Sequence, residues 1–221
     1  MSSPAEAALS GSAVHVANGY EQAIVERGFG PVAGADEAGR GACAGPLVAA
    51  AVILSDDLSD HIAGLNDSKM LTAKARERAF EQIKRHALSW SVVAVDAAEC
   101  DRLGMQEADL QALRRALLRL DHAPGFALTD GFAVAGLPVP GLGVWKGDRV
   151  CASVSAASIV AKVTRDAMMV RAAAEFPGYG FEIHKGYATR LHQERLNELG
   201  PCAIHRRSYS NVQRAARLNE S

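Results

Sequence analysis

Residues 32–54, VAGADEAGRGACAGPLVAAAVIL, constrain the chain more than any other stretch. A short apolar run ends on the adjacent carboxylates Asp36 and Glu37. The turn-forming set Gly39, Arg40, Gly41, Gly45 and Pro46 follows, and a second apolar run begins at Leu47. Runs of this length bounded by Gly and Pro read as strands, here over residues 31–37 and 47–54, and the short turn between them makes the pair antiparallel. Two carboxylates are therefore lodged where two strands meet. Burying one unpaired carboxylate costs several kcal/mol, so the pair implies a compensating cation or exposure in a cleft; a plain solvated strand end is the alternative. Side chains alternate across a strand, so Asp36 and Glu37 share one site only if the backbone departs from a regular strand there.

Gly39 and Gly41 bracket Arg40, and residues without a Cβ permit a tight turn that a large ligand can lie against. Arg40 would then present a planar fork suited to phosphate oxygens. Gly39, Gly41 and Ala44 also spell the dinucleotide fingerprint GxGxxA, which requires a helix next. Here Pro46 and a Val/Ile-rich run follow instead, and two carboxylates ahead of the turn would repel a pyrophosphate.

Lys and Arg number 24 against 25 Asp and Glu, so net charge alone does not point to nucleic acid. Its distribution is more informative: residues 144–221 carry 12 basic and 7 acidic side chains, the rest 12 and 18. That segregation suits one part holding metal and another holding phosphates. Cys43, Cys100, Cys151 and Cys202 are far apart with no CxxC, as free thiols of a reducing compartment would be. The N-terminus has neither the basic nor the apolar part of a leader, and the uncharged runs are too short for a bilayer, so a cytoplasmic chain with no membrane partner is expected.

Along the chain the spacing predicts a short helix over 15–27, a Thr72-capped helix over 73–87, a strand over 88–95 and a short helix over 97–104. A helix with a Leu110, Leu113, Leu117, Leu120 stripe over 105–122 and a strand over 126–129 ending at Asp130 come next. Residues 132–145 are uncharged and turn-rich. A long helix over 149–174 follows, its small residues Ala152, Ser155, Ala156 and Ser158 allowing close approach to the sheet, with Asp148 at or near its N-cap. Capping alone would explain an Asp there. Pro177, Gly178, Gly180 and Gly186 make 175–189 a loop that gathers Tyr179, Phe181, His184, Lys185 and Tyr187; aromatics among cations suit nucleic acid, although Tyr179 and Phe181 read better as core. A helix over 190–199 and a basic knot, His205, Arg206 and Arg207, precede a final helical segment with Arg214 and Arg217. Phosphate contact and a solvated face are both open for those arginines.

The Asp-Glu pair before Gly-Arg-Gly and AGPLVAAAVIL resembles the signature of ribonuclease HII, the type 2 ribonucleases H. Three further blocks extend the resemblance to about residues 32–207: LNDSKMLT with Lys69, KGDRVCASVSAASIVAKVTRD from Lys146 to Asp166, and HKGY from His184 to Tyr187. Ala42-Cys43 and Val154-Ser155 depart from the usual Pro-Leu and Ile-Ala without touching a candidate ligand. The resemblance implies a ribonuclease H-like α/β fold of three layers, a mixed five-stranded sheet flanked by helices, with a helical C-terminal extension. It divides the chain into a tail and short helix (1–28), a catalytic domain (29–175) and a substrate-binding loop with the extension (176–221).

By the same resemblance Asp130 and Asp148 complete a four-carboxylate set with Asp36 and Glu37. Asp166, about five turns along the helix from Asp148, is too distant to join it and suits an ion pair. Hard oxygen ligands with no Cys or His at ligand spacing select Mg²⁺ or Mn²⁺. Gly39, Arg40 and Gly41 would read the 2′-hydroxyl and its phosphate, Tyr187 would pack at the junction of a ribonucleotide with the following deoxynucleotide, and Lys69, Lys146 and Lys185 are candidate phosphate contacts. The implied activity is endonucleolytic hydrolysis of the RNA strand of RNA/DNA hybrids, and cleavage 5′ of ribonucleotides embedded in duplex DNA, leaving 3′-hydroxyl and 5′-phosphate ends. The partner is nucleic acid and the chain is expected to act as a monomer. A hybrid-binding protein without activity and a dinucleotide-dependent oxidoreductase are the rival classes.

Overall fold

The computed structural model describes residues 19–55, 65 and 71–220. In chain order these form α1 (Gly19–Val25), β1 (Val32–Ala38), β2 (Leu47–Ile53), α2 (Ala73–His86), β3 (Ser89–Val95), α3 (Ala97–Leu103), α4 (Met105–Leu118), β4 (Phe126–Asp130) and β5 (Gly141–Val144). They continue with α5 (Gly147–Val150), α6 (Ala152–Glu175), α7 (Phe181–His184), α8 (Arg190–Leu199) and α9 (Ser210–Asn219). The sheet runs β3-β2-β1-β4-β5; β1, β2 and β3 are antiparallel neighbours, whereas β4 and β5 continue parallel to β1. All seven residues of β2 are buried, as expected of a strand covered on both faces.

Strand parity sends Ala33 and Ala35 of β1 toward α4 and Gly34 toward α6. On the first face Ala108, Ala112 and Ala116 join Leu113 and Leu117 against Ala33, Ala35, Ala49 and Ala51. The buried stripe of α4 is thus centred on alanines, because small side chains on both partners let helix and sheet close up; Leu110 sits only partly buried at its edge, and Leu120, also partly buried, lies past the helix end at Leu118. On the second face Ala152, Ala156, Ala157 and Val160 of α6 pack with Ala79 and Ile83 of α2 over Ala50 and Val52. A Cβ on Gly34 would lie 2.1 Å from the Ser153 backbone, so the start of α6 presses directly on β1. Thr72 caps α2, its hydroxyl accepting the Ala75 amide at 3.2 Å.

Three local expectations are corrected. The long helix over 149–174 is broken: Lys146 is left-handed (φ 56) and Cys151 extended, so Asp148 lies inside the one-turn α5 rather than at an N-cap of α6. Glu21 of α1 takes the capping role instead, its Oε1 accepting from the Ser153 amide at 3.0 Å and hydroxyl at 2.8 Å. The turn-rich segment hides β5, whose four residues include two glycines and carry little strand signal. The loop over 175–189 contains α7, with Phe181 and Tyr179 buried and stacked at 5.2 Å, the core role read for them. Of the helix expected over 15–27, residues 15–18 lie outside the described residues, as do Lys69 and its neighbours.

Candidate active site

β1 stays paired with β2 through Ala38, but its ladder with β4 stops at Ala35 and Thr129. Beyond that point the two parallel strands part, and a cleft of about 380 Å³ opens between their ends. Asp36, Glu37 and Asp130 line it, with Gly39, Arg40, Gly41, Arg76, Ser158, Lys162 and Tyr187. The backbone does not depart from a regular strand at the acidic pair, contrary to the sequence expectation: Asp36 pairs with Ala50 and Glu37 with Ala49. The two side chains leave the strand on opposite faces, Asp36 hydrogen-bonding Ser158 of α6 and Glu37 feeling the Asp109 charge of α4, yet their carboxyl groups meet at the strand end in a side-chain hydrogen bond. They share the cleft because it opens at a strand end, where both faces are reached.

The carboxylates are held by backbone donors. Asp36 Oδ1 accepts the Glu37 amide and Asp130 Oδ1 the Gly147 amide, each at 2.8 Å. Burial, then the neighbouring Glu37 charge, pushes the Asp36 carboxyl well above its usual range. Burial, then the Asp109 charge, lifts Glu37 to about 7. Asp109, on the buried face of α4, is raised by burial to about 6 despite the Arg40 guanidinium 3.3 Å away. Asp148 is 1% exposed and does not line the cleft; it follows directly on Gly147, whose amide holds Asp130.

The glycine turn is tied down by two arginines that sequence reasoning undervalued. Arg165 and Arg206 are both 0% exposed. Arg165 donates to the carbonyls of Pro46 (2.9 Å), Ala44 (3.1 Å) and Lys185 (2.9 Å), and burial lowers its pKa to about 10. Arg206 donates to Arg40 (3.1 Å), Ala42 (2.7 Å) and twice to Gly45 (3.2 and 3.0 Å). Among the described residues neither guanidinium pairs with a carboxylate. Arg206 is therefore no phosphate contact. Gly39 has φ +90 and its absent Cβ would stand 1.8 Å from Arg165 Nε, so the turn needs glycine there twice over.

The remaining candidates fall into place around this core. Tyr187 is half-exposed in the cleft, with Arg165 and Lys162 against its ring at 5.4 and 5.8 Å. Lys162 also pairs with Asp166 at 2.8 Å, the ion pair expected for Asp166. Lys162 and Arg76 reach the cleft, although neither was singled out from sequence; the i, i+4 spacing of Lys162 and Asp166 was the available signal for the first. Arg40 divides its side chain between Asp109 and the Phe132 ring, 5.4 Å away. Lys146 is exposed but does not line the cleft, and Lys185 Nζ is tied to the Glu182 carbonyl.

Beneath Tyr187 lies a chain of neutral histidines. His192 Nδ1 lies 2.9 Å from the Tyr187 carbonyl and so carries a hydrogen; its Nε2 then accepts from His205 Nε2 at 3.1 Å, and His205 Nδ1 accepts the Cys202 amide at 3.0 Å. A second proton on either ring would set two N–H groups face to face. Burial lowers His192 to about 4 and His205 to about 3. Both values lie below the unfolded-state 6.5, so protons bind the unfolded chain more readily, and stability present above pH 6.5 is lost as pH falls toward 4. The melting temperature is expected to drop over that window, with a loss on the order of 2 kcal/mol per histidine by pH 5; a flat profile between pH 7 and 5 would refute the arrangement.

Three carboxylates line one cleft, and burial, with mutual repulsion added, raises Asp36 and Glu37; a divalent ion would offset both effects. The metal-ligating side chains of the lining are carboxylates, with no thiol or imidazole among them, which suits Mg²⁺ or Mn²⁺. Among the described residues no three such groups are already closed around a point. Magnesium binds through one or two carboxylates with water and substrate oxygens completing its shell, so a preformed cage is not required.

This sheet order, with an acidic cleft where the central parallel strands part and cations along its rim, defines a metal-dependent nuclease of the ribonuclease H type. The family model for ribonuclease HII matches residues 33–212. Ribonuclease HII of Cutibacterium acnes is 64% identical over 203 residues, 92% of this chain and the whole of that one. The Nocardioides enzyme of the same name is 58% identical over 90% of this chain and 83% of its own. In three dimensions the crystal structure of ribonuclease H2 from Pyrococcus horikoshii superposes with a TM-score of 0.73 at 26% identity, covering 86% of this chain and 99% of that one. The chain belongs to the ribonuclease HII family, divalent-metal-dependent endonucleases that hydrolyse the RNA strand of RNA/DNA hybrids.

Proposed function

We propose that Asp36, Glu37, Asp130 and Asp148 hold the divalent ions, and that the enzyme cuts both RNA/DNA hybrids and duplex DNA carrying embedded ribonucleotides. The single observation that carries this reading is the meeting of three carboxylates and an open glycine turn in one cleft. When bound, the ions supply Lewis acidity to the scissile phosphate and activate water. Asp36 and Asp130, fixed by backbone amides, set the ligand geometry; Glu37 lines the same cleft, and Asp148, buried next to the Gly147 whose amide holds Asp130, would complete the ligand set.

The turn supports a reading of the 2′-hydroxyl. The carbonyls of Arg40, Ala42, Ala44, Gly45 and Pro46 all point inward at Arg165 and Arg206. The amides of Ala42, Cys43, Ala44 and Gly45 are bonded to backbone as well. Gly39, Arg40 and Gly41 themselves line the cleft, a turn suited to lie against a phosphate and the sugar 2′-hydroxyl, the group that separates RNA from DNA. Tyr187, braced by Arg165, offers a ring face to the junction nucleotide; Lys162, Arg76 and Lys146 suit flanking phosphates, and Lys69 remains a candidate from sequence. No helix among the described residues is long and apolar enough to cross a membrane, and Cys43, Cys100, Cys151 and Cys202 are free thiols, in keeping with a cytoplasmic enzyme.

The test compares duplex DNA carrying one ribonucleotide with an all-RNA strand paired to DNA, each in Mg²⁺, Mn²⁺ and EDTA. Cleavage of both, abolished by EDTA and leaving 5′-phosphate ends, is expected. Failure on the single-ribonucleotide duplex would remove the second substrate, and 2′,3′-cyclic phosphate products would overturn the mechanism.

A further inference from the structure

Trp145 is 80% exposed, more than any other large apolar side chain among the described residues, and it does not line the carboxylate cleft. Its backbone is firmly held. On one side Val144 pairs in register with Asp130 and its carbonyl accepts the Gly131 amide at 2.9 Å. On the other, the Gly147 amide donates to Asp130 Oδ1 at 2.8 Å. Between them Lys146 takes a left-handed conformation, φ 56, costly for a residue with a Cβ, and its carbonyl accepts the Arg149 amide at 2.9 Å to start α5. The indole therefore stands on a rigid mount whose two ends are both bonded to the end of β4 that carries Asp130.

We propose that Trp145, with the exposed cations Lys146 and Arg149, forms a second contact for the substrate duplex, outside the cleft on its β5 side. The indole packs against a sugar of a flanking nucleotide, the base faces being stacked within the duplex, and the two cations take the adjacent phosphates. Two observations favour nucleic acid over a protein partner. The segment is tied on both sides of the indole to Asp130, which lines the cleft, and the charges beside the indole are positive, the one acid of the segment, Asp148, being buried. Contacts to sugar and phosphate position a protein on a duplex without reading sequence, and an aromatic ring among cations supplies both kinds. The inference rests on the nucleic-acid reading given above.

The chain has two tryptophans, and Trp90 is partly buried with its ring edge-to-face with Phe80 at 6.5 Å. In a Trp90→Phe background, emission therefore reports Trp145 alone. Adding Asp36→Asn to stop turnover, titration with an RNA/DNA hybrid in Mg²⁺ is expected to quench that emission by half or more. Trp145→Ala should weaken hybrid binding about tenfold, by anisotropy of a labelled hybrid, and Trp145→Phe by less than about threefold. Emission unchanged with hybrid bound, or Trp145→Ala affinity within about twofold of the parent, overturns the proposal. Cleavage by the unmodified enzyme is scored separately, so loss of this contact is distinguishable from failure of the nuclease reading.

Discussion

Asp36→Asn is expected to lower hybrid cleavage by at least on the order of a thousandfold, equivalent to about 4 kcal/mol of transition-state stabilisation, without weakening the fold. Asparagine keeps the shape of the side chain and an oxygen able to accept the Glu37 amide that Asp36 Oδ1 now accepts. It removes a charge that burial and the neighbouring Glu37 and Asp130 make costly. The melting temperature of the metal-free variant should therefore equal or exceed that of the parent, and hybrid binding should persist, because the glycine turn and the rim cations are untouched. Steady-state cleavage, a thermal melt and anisotropy test the three parts together. Turnover at the parental rate would remove Asp36 from the mechanism whatever the melt showed.

Arg206→Met should act in the opposite way, through stability first. Its guanidinium is buried and satisfies the carbonyls of Arg40, Ala42 and Gly45. Methionine fills similar space and donates nothing, leaving those carbonyls with a desolvation cost of about 1 to 3 kcal/mol apiece. A loss of about 4 kcal/mol or more follows, which for a chain of this size lowers the melting temperature by roughly 10 °C. Arg206→Lys should recover little, since a point charge cannot fork to three carbonyls. A melt of Arg206→Met within about 2 °C of the parent would show that the turn does not depend on this side chain.

Much of the architecture could be read from pattern alone. The first four strands, the Thr72 cap and the helices over 73–86 and 190–199 follow from apolar spacing and from residues whose local chemistry permits few alternatives. β5 did not, because two glycines in four residues carry almost no strand preference and the segment is extended by its pairing with β4. Asp148 looked like a cap because Asp before a helix usually is one; the break at Cys151 and the capping of Ser153 by Glu21, 132 residues earlier, depend on tertiary packing. Asp36, Glu37, Asp130, Gly39, Arg40, Gly41 and Tyr187, all named from sequence, come together in one cleft. Arg165 was passed over, and Arg206 read only as solvated or phosphate-facing, for a physical reason: an arginine satisfied mainly by carbonyls carries no signal of its partners in the sequence.

The bond between Arg206 and the turn at residues 40–45 joins groups more than 160 positions apart. During synthesis the acidic pair and the glycines leave the ribosome early, whereas the side chain that holds the turn follows more than 160 residues later. Until Arg206 emerges, the carbonyls of the turn are without the donor that gathers them, so the glycine turn takes its final shape late in synthesis.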